Sequence, residues 1–449
     1  MFFILCIALL PLVYIIISTK NIRSDSPKYV PKLKNPSVLA TYSTRNDTFT
    51  LKYDICLEKN KKIQQVLQNR ISEKRVKYPL LPPSSRNSRI VGEDPPIRIH
   101  FSEFATWASM HFWKRFPGVH NVSCPISCQF IRKPPKQSDS DIVAYYWYSD
   151  PRSLQPHQMS ALFAVEPEFA QFPRDTDDCN SQNLEKLSEY LNIWDALVTF
   201  SKYSEVEINH SKYLFGQDIR TEIDNYETKI YSIFGMGEKF HQKRRIPLWK
   251  SNKQKHNDTF GSTWISNCKP NPRSDYLTEL SKLIPLHHYG SCGFGQESIK
   301  DADQETSGDR YSYKIQKQNG YPFVFAFENH LLDDYVTEKY FHGLASPYSV
   351  MVYMGRLDGS QKYEKYIPVE GDWKIFINVQ DYKSPQDLAA YLKYLLNNQT
   401  AYEEYFDWRR KGTLKKSFWQ DNILSSFHNL DNWLCGLCEH YHKYYDKKK

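Results

Sequence analysis

The stretch F-E-N-H-L-L-D-D-Y-V-T-E-K, Phe327 to Lys339, sets acids, a tyrosine and a Glu-Lys pair between an apolar run and a helical pattern. F-V-F-A-F before it (Phe323–Phe327) reads as a buried strand, and V-T-E-K-Y-F-H-G-L after it as a helix. The loop between them then lies at the carboxyl end of a strand, where open α/β sheets bind ligands. Asp334 reads as the N-cap, which would turn the helix N-terminus toward an anion. Lys339 adds a cation in the first turns, suited to a phosphate. Glu338 offers acceptors to sugar hydroxyls, and Tyr335 a flat face or a donor. An ordinary capped amphipathic helix accounts for the same residues, so local physics alone leaves both readings standing.

The elements that would have to position this loop read as two α/β series. Pro95–Phe101, Asp141–Tyr148 and Met159–Glu168 are strand candidates, and Ile193–Phe200 fits helix or strand. Lys239–Asp258 is basic and polar and reads as a linker. After it, Phe260–Cys268, Leu286–Cys292, Phe323–Phe327, Ser349–Gly355 and Trp373–Val379 read as strands. A helix over Ser274–Leu283 repeats Leu277, Leu280 and Leu283 on one face. Ser384 as N-cap with Pro385 at the next position opens another. The alternation implies α/β domains with largely parallel sheets. Neither the G-x-G-x-x-G dinucleotide fingerprint nor a Walker A loop is present.

Outside these series the chain carries other signals. Phe2–Ile17 is apolar apart from Pro11 and spans about 24 Å as a helix, slightly short of a ~30 Å hydrocarbon core; it reads as a cleavable signal peptide or an anchor, and the signal anchor over residues 1–19 is preferred. Lys20 and Arg23 on its far flank oppose an orientation with the N-terminus in the cytosol. Sequons at Asn46, Asn121, Asn209, Asn257 and Asn398 favour a lumenal body. So does an even set of cysteines outside the apolar stretch: Cys56, Cys124, Cys128, Cys179, Cys268, Cys292, Cys435 and Cys438. Such a set in an exported chain implies disulfides, although spacing alone does not choose the pairing. Residues 20–90, polar and proline-dotted, read as a stem with a short helix near Ile63–Ile71. The net charge of +8 is spread along the chain. No nucleic-acid-binding signature accompanies it, so no nucleic-acid partner is expected.

F-E-N-H-L-L-D-D-Y-V-T-E-K resembles the donor-binding signature of the α1,3-fucosyltransferases, glycosyltransferase family 10. W-I-S-N-C-K-P-N-P-R-S-D-Y-L, H-H-Y-G-S-C, Y-E-K-Y-I-P, S-P-Q-D-L-A-A-Y-L and Y-F-D-W-R are similar to family elements in the same order. C-P-I-S-C and C-G-L-C match its early and late cysteine pairs. The resemblance implies a Golgi type II membrane protein, single-pass with a lumenal catalytic body. It implies the GT-B fold, two facing Rossmann-like domains: an acceptor domain over 91–245 and a GDP-fucose domain over 246–410. A C-terminal tail, 411–449, follows with the CxxC pair. It also implies inverting transfer of fucose from GDP-β-L-fucose to GlcNAc hydroxyls, with no essential metal or other cofactor.

Residue by residue, the resemblance assigns Arg273 and Lys339 to the pyrophosphate, and Ser266, Asn267, Asn329, Tyr335 and Glu338 to the rest of the donor. It makes Glu166 in V-E-P-E the base, with Glu168 the runner-up, although the serine of the family's E-S-P pattern is missing. It brings Cys435 and Cys438 back to the early cysteines and makes Cys268–Cys292 a further bridge. The resemblance implies a GlcNAc on a glycoprotein as acceptor, with the N-glycan core placed ahead of lactosamine antennae. His330 stands where serine is common, and A-S-P-Y-S-V-M-V-Y-M-G brings bulky Tyr348 and Met351 where the family is smaller. Those departures carry the alternative, a lumenal glycan-binding pseudoenzyme of the same fold. Three D-x-D pairs (Asp139/Asp141, Asp175/Asp177, Asp301/Asp303) sit in polar loops and read as solvated acids. C-G-L-C-E-H-Y-H offers zinc ligands, but an oxidising lumen favours disulfides.

Overall fold

Two sheets organise the described residues. In a computed structural model, described residues are 48–77, 94–103, 118–122, 124–132, 136–146, 151, 154–164, 184–201, 203–207, 234–236, 259–268, 272–295, 298–299, 310–356, 365–418 and 429–446. All belong to one unit, Asp47–Lys449. The expected anchor and linker lie outside them, as do Glu166, Glu168, Asn46, Asn209, Asn257 and the D-x-D pairs at 175 and 301. Among the described residues no helix is long and apolar enough to cross a membrane.

The first sheet comprises β1 (Ile97–Glu103), β2 (Val119–Asn121), β3 (Cys128–Ile131), β4 (Ile142–Tyr146), β5 (Met159–Ala164), β6 (Ala196–Thr199) and β7 (Val206–Glu207). Its order is β2-β3-β1-β4-β5-β6-β7, parallel except for the β2–β3 pair. The second comprises β8 (Gly261–Trp264), β9 (Leu286–Tyr289), β10 (Ser298–Ile299), β11 (Phe323–Phe327), β12 (Val350–Met354) and β13 (Ile377–Asn378). Its order is β10-β9-β8-β11-β12-β13, all parallel. The α/β reading with parallel sheets holds, and Ile193–Phe200 resolves as a strand. Every residue of β11 is buried. A central parallel strand is covered on both faces, so it reads as a continuous apolar run. Each buried Phe there contributes about 1.5–3 kcal/mol of transfer free energy. Gly261 lets β8 approach: a Cβ there would sit 2.5 Å from the Phe323 carbonyl oxygen.

Helix α1 (Thr48–Lys77) departs from the expected stem with a short helix. Ile63 and Leu67 are fully buried, in a cluster that joins the first sheet to Leu332 and Tyr335 of the loop after β11. Arg70, also on α1, forms a buried ion pair with Glu205 at 2.8 Å. It also donates to the carbonyls of Leu191 and Trp194, so its desolvated charge has a full set of partners. Gln64 Nε2 reaches the Asp333 carbonyl at 3.2 Å. One face of α1 thus touches both the first sheet and the candidate loop. The low hydrophobicity of the rest of the helix hides that face from periodicity arguments.

Helices α2 (Leu184–Asn192), α3 (Pro272–Ser281), α4 (Arg310–Gln318), α5 (Glu338–Leu344) and α6 (Pro385–Asn397) follow in chain order. α6 starts as expected, with Ser384 accepting from the Asp387 amide and proline in the first turn. The final helix, α7 (Asn429–Tyr444), is not a free tail. Trp433, Leu434, Leu437 and Tyr441 pack into the core of the first sheet. Two disulfides fix it there, Cys124–Cys435 and Cys128–Cys438. Both close loops of about three hundred residues, where the chain-entropy account of disulfide stabilisation is largest. Cys435→Ser/Cys438→Ser should therefore lower unfolding free energy by about 2–5 kcal/mol. Chemical denaturation of the oxidised proteins measures this; an unchanged midpoint would contradict it. The same bonds remove both CxxC sulfurs from any zinc site.

The bulky departures are accommodated. Gly343 of α5 faces Met351 so closely that a Cβ there would lie 2.2 Å from the sulfur. Met351 is buried in the core between α5 and β12, and Tyr348 donates its amide to Asn319. The glycine leaves the volume that the larger side chain fills.

Candidate active site

The carboxyl ends of β8 and β11 lie side by side, because the two strands pair in parallel register from Phe323↔Gly261 to Phe325↔Thr263. The segment after β8 carries exposed Ser266 and Asn267, and the Cys268–Cys292 disulfide pins it to the end of β9. Asn267 Nδ2 donates to Asn329 Oδ1 across the two strand ends at 3.4 Å. Arg273, in the first turn of α3, is buried. Its guanidinium donates to the carbonyls of Asn267 at 2.9 Å and Phe327 at 3.4 Å. Two backbone oxygens from two strand ends thus hold one fork-shaped cation.

Lys339 enters from α5 and faces Arg273 closely enough for the two cations to repel. Its Nζ lies 2.9 Å from Glu338 and 4.0 Å from Glu328. Burial works to lower the Lys339 pKa, but these two carboxylates more than offset it and hold the ammonium above its ordinary range. Burial would push Glu338 up; Lys339, Lys314 and His342 instead hold it well below the usual carboxylate range. Lys314, on α4, is drawn down to about 8, chiefly by burial. The site is therefore a desolvated cluster of mixed charge with cations at its strand-end side, an arrangement that suits an incoming polyanion.

The turn leading into α5 differs from the expected one. Thr337, not Asp334, caps the helix: its side chain accepts from the Lys339 amide. Asp334 instead adopts φ +65°, a left-handed position that Asp tolerates better than most residues. The reason lies in Glu328. This carboxylate, to which the sequence assigned no role although it stands in F-E-N, accepts from the Thr337 amide at 2.8 Å and from its hydroxyl at 2.6 Å. A partner nine residues upstream selects Thr337 over Asp334, and local spacing does not reveal it. Lys314 carried no sequence signal either.

Of the expected donor residues, the structure brings together Ser266, Asn267, Arg273, Asn329, Glu338 and Lys339. Tyr335 stands apart. It is almost wholly buried, with its ring 4.9 Å from that of Phe200 beside the first sheet, so it packs rather than presenting a free face. Asp139 and Asp141 accept from the backbone amides of Lys136 and Arg98, as capping acids do. Of the sequons described, Asn121 lies on exposed β2, its amide oxygen accepting from Gln129. Asn398 caps the short helix Gln399–Glu403.

Comparisons with known proteins bear on this constellation. Residues 252–449 match the model of glycosyltransferase family 10 (fucosyltransferase), C-terminal part. The human 4-galactosyl-N-acetylglucosaminide 3-alpha-L-fucosyltransferase 9 is 33% identical over 186 residues, 41% of this chain and 44% of that protein. The glycoprotein 3-alpha-L-fucosyltransferase A of Drosophila melanogaster is 26% identical over 314 residues, 69% of this chain and 52% of that protein. The chain thus spans about half the length of these curated relatives, 44% and 52%. A crystal structure of an alpha1,3-fucosyltransferase with GDP-fucose overlaps at a TM-score of 0.43 and 17% identity, over 78% of this chain and 94% of that one.

Proposed function

We propose that this chain, whose residues 252–449 match the model of glycosyltransferase family 10, moves L-fucose from GDP-β-L-fucose to the 3-hydroxyl of a GlcNAc on a glycoprotein glycan. One observation carries the reading furthest. Asn267, Asn329 and Arg273 converge at two adjacent strand ends, and Lys339 faces Arg273. These are the residues the family resemblance assigns to the donor.

The chemistry divides between the two sheets. As the fucose C1–O bond breaks, its electron pair stays with GDP and charge builds on the diphosphate. Arg273 and Lys339 meet that charge with preorganised donors in a water-poor site. Arg273 is already oriented by two carbonyls, so little reorganisation is required at the moment of reaction. The acceptor oxygen attacks C1 from the opposite face and gives its proton to a base, for which Glu166 is proposed. In sequence it follows the end of β5 by two residues, in V-E-P-E, and open α/β sheets place ligands at the carboxyl ends of their strands. A β-linked donor then yields an α-linked product. Fixed cations take the charge-neutralising role, so no essential metal is required.

The body is proposed to lie in the Golgi lumen behind an N-terminal anchor, over domains bounded near residues 91–245 and 246–410. The disulfides Cys124–Cys435, Cys128–Cys438 and Cys268–Cys292 suit an oxidising compartment. The relatives' names divide over the acceptor, one naming a 4-galactosyl-N-acetylglucosaminide and the other a glycoprotein. The core GlcNAc of an N-glycan is placed ahead of a lactosamine antenna.

Donor choice tests this reading before any turnover is measured. GDP-fucose should bind at least about tenfold more tightly than GDP-mannose or UDP-galactose, a difference of about 1.4 kcal/mol. Calorimetric titration of each nucleotide sugar decides it. Equal binding of UDP-galactose would contradict the donor assignment.

A further inference from the structure

The buried carboxylate of Glu328 has no role in the transfer as described above, yet it meets both Thr337 and Lys339 of the signature turn. It stands directly after β11 and is 1% exposed. Its amide donates to Met354 of β12 at 2.7 Å, which ties its backbone to the sheet. Its two oxygens take the amide and hydroxyl of Thr337, the cap of α5. The Tyr353 hydroxyl approaches at 3.5 Å, and Lys339 Nζ lies 4.0 Å away. A carboxylate in such a place is costly unless its partners compensate. Here the main compensating charge is Lys339, the cation that the proposed reaction needs for the diphosphate.

Resting on the donor reading above, we propose that Glu328 is a positioning residue for donor binding, which anchors Thr337 so that Lys339 faces the diphosphate and takes up a proton from solvent when that anion binds. Glu328, Glu338 and an incoming diphosphate compete for one ammonium. Lys339 serves the two carboxylates. An arriving diphosphate adds negative charge beside the same ammonium and raises the cost of keeping Glu328 ionised. Protonating Glu328 removes that repulsion and leaves Lys339 to the diphosphate.

The geometry accommodates both states. Thr337 Oγ now donates to one carboxylate oxygen, and a hydroxyl can equally accept from a carboxyl O–H in the same place. The Thr337 amide keeps donating to the other oxygen, so the cap of α5 survives the change. Burial already pushes the Glu328 carboxyl up to about 7, against the opposing pull of Lys339 and the two Thr337 hydrogen bonds. Small changes in local charge therefore change its protonation near neutral pH.

The other groups facing this carboxylate are Glu338 on α5, Lys314 on α4, Tyr353 on β12 and Tyr366. Arg273 and His342 stand one neighbour further, beside Lys339 and Glu338. The tyrosines are held far above neutral pH by burial. Lys314 is the remaining group drawn toward this range, to about 8. The sign follows from linkage. The complex holds more protons than the free protein, so affinity falls as pH rises through the Glu328 titration.

The test is calorimetry of GDP-fucose binding to the full-length chain in buffers of different ionisation enthalpy, for wild type, Glu328→Gln and Lys314→Gln. Wild type should take up about half a proton near pH 7 and bind at least about fivefold more weakly at pH 8 than at pH 6. Glu328→Gln should show no uptake and a change under about twofold across the same range. Lys314→Gln should keep the uptake. The wild-type measurement stands even if a variant fails to fold. GDP-fucose binding without proton uptake in wild type overturns this inference and leaves the donor reading intact. Uptake that persists in Glu328→Gln and vanishes in Lys314→Gln overturns the assignment to Glu328. Absence of GDP-fucose binding in wild type overturns the donor reading and this inference with it.

Discussion

Glu166→Gln is expected to lower acceptor-dependent turnover about 10²–10⁴-fold, the usual contribution of a positioned general base. GDP-fucose affinity should change by less than about twofold, because the proposed role of this glutamate is toward the acceptor hydroxyl. The amide matches the carboxylate in shape and removes only its ability to take a proton. The acceptor hydroxyl is a weak nucleophile, and displacement at C1 needs its proton removed as the bond forms. In sequence Glu166 stands two residues after β5, an interior strand whose six residues are all buried. Glu168→Gln is the natural comparison, two residues further along the sequence. If Glu168→Gln produces the large loss and Glu166→Gln does not, the base is Glu168. If neither variant loses activity, the first sheet does not supply the base from this segment.

Arg273→Ala carries the second-largest expected effect, a fall of about 10²–10³-fold in kcat/KM for GDP-fucose. This is the scale of deleting one preorganised donor to a developing charge. Part of the loss will be structural, since Arg273 is buried and satisfies the Asn267 and Phe327 carbonyls. Arg273→Lys separates the two contributions. It keeps the charge and the aliphatic packing but cannot hold both carbonyls and a phosphate with one planar fork. The lysine variant should recover most of the thermal stability but less of the activity. Thermal unfolding beside donor-dependent kinetics reads this out. A lysine variant as active as wild type would show that charge alone suffices and that the fork geometry is not used.

The sequence made some parts of this molecule legible and concealed others, and the division follows the range of the forces involved. F-V-F-A-F was readable as a strand because complete burial leaves an unbroken apolar run. Ser384-Pro385 was readable as a helix start because capping is local. The loop's position after β11 followed from those elements. The capping residue of α5 was not readable, because D-D-Y-V-T contains two plausible caps and the choice rests with Glu328. Tyr335 reads as a ligand contact in sequence, whereas Phe200 from another sheet claims its ring. Helix α1 is underestimated by its sequence because, among the described residues, few of its positions are buried, Ile63, Gln64, Leu67 and Arg70, and the partners of Arg70 lie more than a hundred residues away. The cysteine pairings came from the family resemblance, since counting and spacing leave them open.

The central claim is transfer of fucose, and its most direct measurement is product formation by the full-length chain from GDP-fucose in EDTA. A core-GlcNAc glycopeptide and a lactosamine oligosaccharide serve as acceptors, with GDP release and the product linkage both recorded. The account predicts acceptor-dependent GDP release that survives EDTA, with fucose α-linked to O3 of GlcNAc and the core glycopeptide preferred. GDP-fucose binding with no fucosylated product from either acceptor would contradict it and bring forward the reading of a glycan-binding protein that keeps the fold without turnover.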